Sequence, residues 1–88
     1  VSDFEPDSLY QTDADGLLFV QINANVTGGG ANAFILGGFN PTSTDTLGQI
    51  LNFGSVTLPL KKDTYWKVHI KNQNFVVDYD FQWTPFVE

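Results

Sequence analysis

The side chains best equipped for chemistry are few and scattered. Asp13-Ala14-Asp15-Gly16 opens like a calcium loop, with oxygen ligands two residues apart and then Gly. The pattern stops there, because position 17 is Leu and no acidic residue follows at the required distance. Asp13 and Asp15 are therefore expected in a turn, accepting from backbone amides, rather than on a metal ion. Asp78 and Asp80 fall on one side of a strand pattern, with Glu88 downstream. Paired carboxylates serve glycoside cleavage, but apolar neighbours flank each of these. A solvated face that discourages edge pairing is the plainer expectation. His69 is the single His, sits between Lys67 and Lys71, and has no Cys to join it, so zinc is not expected. Ser8, Ser43 and Ser55 lack a G-x-S-x-G setting. Gly28-Gly29-Gly30 lacks the Lys-Ser/Thr of a phosphate loop and reads as a turn supplying positive φ. No stretch gathers nucleophile, base and orienter, so neither a catalytic residue nor a cofactor is expected.

Non-covalent recognition of a carbohydrate suits the residues better. Sugar sites pair an aromatic face with amide, hydroxyl and carboxylate groups. The polar stretch 39–47 supplies Asn40, Thr42, Ser43, Thr44 and Asp45. Asn32 lies just beyond the glycine turn, and Asn72, Gln73 and Asn74 form another turn. Tyr65 and Tyr79 offer rings. The competing reading puts Tyr79 in the core and the amides in turns. Asn25-Val26-Thr27 also matches a glycosylation sequon, a short pattern that occurs often by chance.

Composition bounds the partners. The 88 residues carry ten Asp or Glu against four Lys, for a formal charge of −6. All four cations lie between Lys61 and Lys71, which leaves the first sixty residues without one. Nucleic acid, which demands many cationic contacts, is not an expected partner, and neither is an anionic membrane surface. No run of about twenty apolar residues is present, so no membrane insertion by a helix is expected. With no Cys there is neither disulfide nor thiolate chemistry. The missing initiator Met suggests a cleaved or excised piece of a longer protein.

Eight Phe, three Tyr and two Trp, with frequent Thr, Val and Ile, favour strands. Residues 1–8 read as an acidic arm and 9–88 as one domain. Leu9–Gln11 is a short first strand. From 17 to 26, Leu18, Val20, Ile22, Ala24 and Val26 alternate with Leu17, Phe19, Gln21, Asn23 and Asn25, a period of two. Ala31–Leu36 is a further strand, and 39–48 a loop. Gln49–Phe53 and Ser55–Leu58 read as one strand bulged at Gly54, with Pro59 at a strand end or edge. Thr64–Lys71 alternates cleanly, with Trp66, Val68 and Ile70 on one side. Phe75, Val77, Tyr79, Phe81 and Trp83 mark another apolar face, and a hairpin joining these two strands is predicted. Thr84–Glu88 would add a short terminal strand. Seven or eight strands at regular spacing predict an all-β, antiparallel sandwich. A chain this short buries only about 60–65% of its extended surface when it folds alone. Leu17 and Phe19 are accordingly expected to be covered by something beyond the first core, such as a neighbouring subunit, with Phe34 or Phe53 near that contact.

Three segments resemble the small heads that end phage tail fibres and tail spikes. Ala14-Asp15-Gly16-Leu17-Leu18-Phe19-Val20 is similar to their "ADGF-apolar" opening. The stretch from Gly54 to Val68, with Ser55-Val56-Thr57-Leu58-Pro59-Leu60-Lys61-Lys62-Asp63-Thr64-Tyr65 at its centre, is similar to their "S-x-T-L-P-V-K-K-G-D-x-Y/W". Phe81-Gln82-Trp83-Thr84-Pro85-Phe86 looks like their closing "F-x-P" strand. The likeness covers about residues 9–86, and it departs at Asp63-Thr64, where Gly-Asp is usual. It implies a homotrimeric sandwich, jelly-roll-like or shaped like tumour necrosis factor. Such a head stands at the distal tip of a fibre on the virion, follows a fibre shaft, and recognises a host-surface polysaccharide or protein. Loops 27–33, 39–47 and 71–74 are then the candidate contacts. Two alternatives are a cap that only locks trimer assembly and a carbohydrate-binding accessory module of an extracellular enzyme.

Overall fold

A computed structural model describes residues 4–86. Among them the chain is all-β. Its strands are β1 (Tyr10–Gln11), β2 (Gly16–Ala24), β3 (Asn32–Gly38), β4 (Asp45–Leu51), β5 (Phe53–Leu60), β6 (Tyr65–Lys71) and β7 (Val76–Pro85). Single 3₁₀ turns at Val26–Gly28 and Gln73–Phe75 interrupt the connections. Two antiparallel sheets form, with strand orders β1-β6-β3-β4 and β5-β2-β7. The pairs β3–β4, β2–β5 and β1–β6 nest inside one another like a long hairpin rolled over on itself.

Period-two alternation decides which side chains face inward. Leu18, Val20 and Ile22 of β2 meet Ala33 and Ile35 of β3, Trp66, Val68 and Ile70 of β6, and Phe81 of β7 in one buried cluster. Each fully buried aliphatic or aromatic side chain contributes about 1.5–3 kcal/mol relative to exposure. Phe4 packs edge-on against Tyr10 and Trp66, at 4.9 and 5.2 Å between ring centroids. Asp7 donates its backbone N–H to the Val68 carbonyl and places its carboxylate 2.8 Å from His69. The described part of the stretch 1–8 therefore lies along β1 and β6.

Several sequence expectations are corrected. β6 and β7 are not a hairpin, because they lie in opposite sheets. Alternation reveals which side of a strand is buried, not which strand lies beside it, and both strands aim apolar residues at the same core. The link between them turns at Asn72, which takes the left-handed conformation (φ 62°), and crosses the sandwich. The apolar pieces 49–53 and 55–58 are also not one bulged strand. The break is at Asn52 (φ 64°), and β4 and β5 sit in different sheets. Asn52 fixes that corner by accepting from Ala24 N, donating its own N–H to Ala31 O, and accepting from Ala31 N on Oδ1. The loop expected at 39–48 is shorter, since β4 begins at Asp45. In β7 a bulge opposite Asn23/Ala24 leaves Val77 exposed, so the inward alternation begins at Tyr79 rather than Phe75. β7 runs unbroken through Thr84 and Pro85, so no separate strand starts there; residues 87 and 88 lie outside the described residues.

The outward faces follow from the registers. On the three-stranded sheet the transverse rows are Pro59-Leu17-Thr84, Thr57-Phe19-Gln82, Ser55-Gln21-Asp80 and Phe53-Asn23-Asp78. The first two rows set Pro59, Leu17 and Phe19 among Thr84, Thr57 and Gln82, and the other two are polar apart from Phe53. The opposite sheet's outer face carries Phe34 between His69 and Gln49, Leu36 between Lys67 and Thr46, and Asn32 between Lys71 and Leu51. Leu17, Phe19 and Phe53 thus share one face while Phe34 lies on the other, so these four residues do not form a single contact surface.

Candidate functional site

One end of the sandwich gathers the loop after β3, the turn after β5 and the loop before β2. The sequence fixes their shapes locally. Gly37 and Gly38 close β3, and a Cβ on Gly37 would run into the Tyr65 carbonyl oxygen. Gly38 has φ 154°, and a Cβ there would strike the Ser43 side chain. The turn that follows is tied at both ends, with Ser43 N donating to Asn40 O (3.0 Å) and Asn40 N to Ser43 Oγ (3.2 Å). Phe39, 72% exposed, stands at the mouth of this turn.

The facing wall is the turn 61–64, held by two buried threonines. Thr12 Oγ1 and Thr64 Oγ1 each donate to the Lys61 carbonyl at 2.7 Å. Thr64 N donates to Thr12 Oγ1 at 2.9 Å, and Thr12 N to Thr64 O. Asp63 takes φ 66°, the left-handed turn geometry that Asp tolerates better than most residues. Between the two walls lies an open cleft of about 480 Å³, lined among others by Phe39, Asn40, Ser43, Asp45, Lys61 and Leu47. It offers an exposed ring, an amide, a carboxylate and a lysine over an apolar floor. Such a set stacks against a ring face and exchanges hydrogen bonds with hydroxyls.

Five of the nine sequence-predicted contacts lie in this loop or at its exit into β4. Asn40, Ser43 and Asp45 line the cleft, while Thr42 and Thr44 are exposed beside it. The other four do not join them. Asn72, Gln73 and Asn74 are exposed at the far end of the sandwich, and Asn32 lies on the outer face of the four-stranded sheet. Phe39 and Lys61 were missed as site residues. The readable signal was a Phe placed after two glycines and before Asn-Pro, where no core position is available.

Asp13 and Asp15 flank the other side of the 61–64 turn. Asp15 Oδ1 accepts from Lys62 N at 2.7 Å, so this carboxylate fixes the turn. Among the described residues no three His, Cys, Asp or Glu side chains gather as a metal site. Asn25, of the sequon, caps the first 3₁₀ turn through Oδ1, which accepts from Thr27 N and Gly28 N. Compared with known proteins, the chain matches no family model, no curated protein and no solved structure.

Proposed function

We propose that this chain is the receptor-binding head of a viral tail fibre or spike, a homotrimer that binds a host-surface glycan non-covalently. The observation that carries the reading is the end cleft, where exposed Phe39 stands beside Asn40, Asp45 and Lys61. The nested pairing of β3–β4, β2–β5 and β1–β6 supports a jelly-roll assignment. Asp63 supports the resemblance from another side, since the related pattern carries Gly there and the backbone is left-handed.

Association would centre on Leu17 and Phe19, which with Pro59 form the apolar patch of the three-stranded sheet's outer face. Asp78 and Asp80 keep the other half of that face away from an axis, because like charges would meet there. Three clefts held rigidly would then gain avidity on a repetitive surface. The assembly-cap alternative rests on the same apolar patch without the cleft.

A glycan array with the wild-type chain, Phe39→Ala and Asp45→Ala tests the reading. It predicts wild-type binding that both variants lose while their folds stay intact. No array binding, together with undiminished host adsorption by particles carrying both substitutions, would defeat it.

A further inference from the structure

We infer that the polar half of the three-stranded sheet's outer face is a second binding site, for an uncharged pyranose. Three adjacent strands contribute one row each way. Asn23 of β2 lies in register between Phe53 of β5 and Asp78 of β7, and Gln21 lies between Ser55 and Asp80. Neighbouring strands stand about 4.8 Å apart, so Phe53 and Asp78 are separated by about 10 Å, the span of one to two sugar rings. A groove of about 300 Å³ runs between them, lined by Gln21, Asn23, Phe53 and Asp78 from this face, with Ile22, Gly54 and the inward-facing Tyr79 also at its wall.

The chemistry of the lining selects the ligand. Phe53 is 66% exposed and presents a ring with no aromatic partner among the described residues. Gln21, Asn23 and Asp78 make no side-chain hydrogen bond with any described residue. Two amides offer donors and acceptors together, and a carboxylate accepts from two vicinal hydroxyls at once. Asp80 is tied to Gln82 by a 2.7 Å hydrogen bond and is left to set the charge. The twelve outward positions of this sheet hold two carboxylates and no cation. Carboxylated and phosphorylated sugars are therefore repelled, whereas neutral hydroxyls are not. The cleft at the end of the sandwich differs, because Lys61 lines it. This second site goes beyond the proposed function, and it does not require the end cleft to bind.

The test is a titration followed by ¹H–¹⁵N spectra, with the methyl glycosides of glucose, galactose, mannose and N-acetylglucosamine as probes. At least one probe is expected to shift the side-chain amide signals of Asn23 and Gln21 in a saturable way. Phe53→Ala is expected to weaken that binding about tenfold or more, and Asp78→Asn to weaken it less, with both folded spectra retained. Shifts confined to the 39–45 loop, shifts that survive Phe53→Ala, or no shift with any probe would each overturn the inference. So would a fall in association state on Phe53→Ala, which would make the ring a contact between copies. The array experiment on Phe39 and Asp45 reads the end cleft alone, so either site can fail without the other.

Discussion

Substituting Asn52 probes the corner that carries the chain from one sheet to the other and sets Phe53 at the groove. Asn52 holds φ 64°, and its Oδ1 accepts from Ala31 N at 3.2 Å, on a residue only 2% exposed. Asn52→Ala strips the acceptor and leaves a buried N–H unpaired, a loss of about 1–3 kcal/mol. It also puts a Cβ-bearing residue with no polar side chain in the left-handed region, at about 1–2 kcal/mol. The sum is about 2–5 kcal/mol. Asn52→Gly removes the acceptor but accepts the backbone geometry, so it should cost about 1 kcal/mol less than Ala. Asn52→Asp keeps both the acceptor and the tolerance for this conformation, and should stay within about 1 kcal/mol of wild type. Urea unfolding at fixed chain concentration measures all three, since any association would make the midpoint depend on concentration. The reasoning fails if Asp is as damaging as Ala, or if Ala is tolerated within about 0.5 kcal/mol.

Three further outcomes follow from the same geometry. Thr12→Val removes a donor to the Lys61 carbonyl and an acceptor for Thr64 N, and should cost about 2–3 kcal/mol by urea unfolding while loosening the 61–64 turn. Gly37→Ala drives a methyl group into the Tyr65 carbonyl oxygen, and should lower the thermal midpoint well beyond the effect of Gly48→Ala, where the nearest atom is a flexible Leu58 methyl at 3.3 Å. Asp63→Ala should destabilise by about 1 kcal/mol and Asp63→Gly by much less, because only the first conflicts with φ 66°.

The burial pattern was legible in the sequence because alternation maps directly onto the two sides of a strand. Leu18, Val20 and Ile22, then Trp66, Val68 and Ile70, all face the core as the spacing implied. Pairing was not legible. In a sandwich both sheets aim apolar residues at the same interior, so β6 and β7 carry a hairpin's pattern while lying in opposite layers. The breakpoint at Asn52 was hidden for a related reason. Gly54 is the stronger punctuation in the sequence, yet it sits inside β5, and the corner belongs to an Asn stabilised by bonds to residues more than twenty positions away. A polar turn after Gly38 was legible from composition, although β4 already begins at Asp45. That Lys61 faces it across a cleft depends on the chain returning through β5, which local spacing does not encode.

The reading of the chain as a fibre head rests most heavily on association in threes. Sedimentation equilibrium of the purified chain at neutral pH tests that directly, with Leu17→Lys and Phe19→Lys run beside it. The account predicts a species of three times the 9.8 kDa chain mass, dissociated by either substitution. A wild-type chain that stays at 9.8 kDa across the concentration range would contradict it.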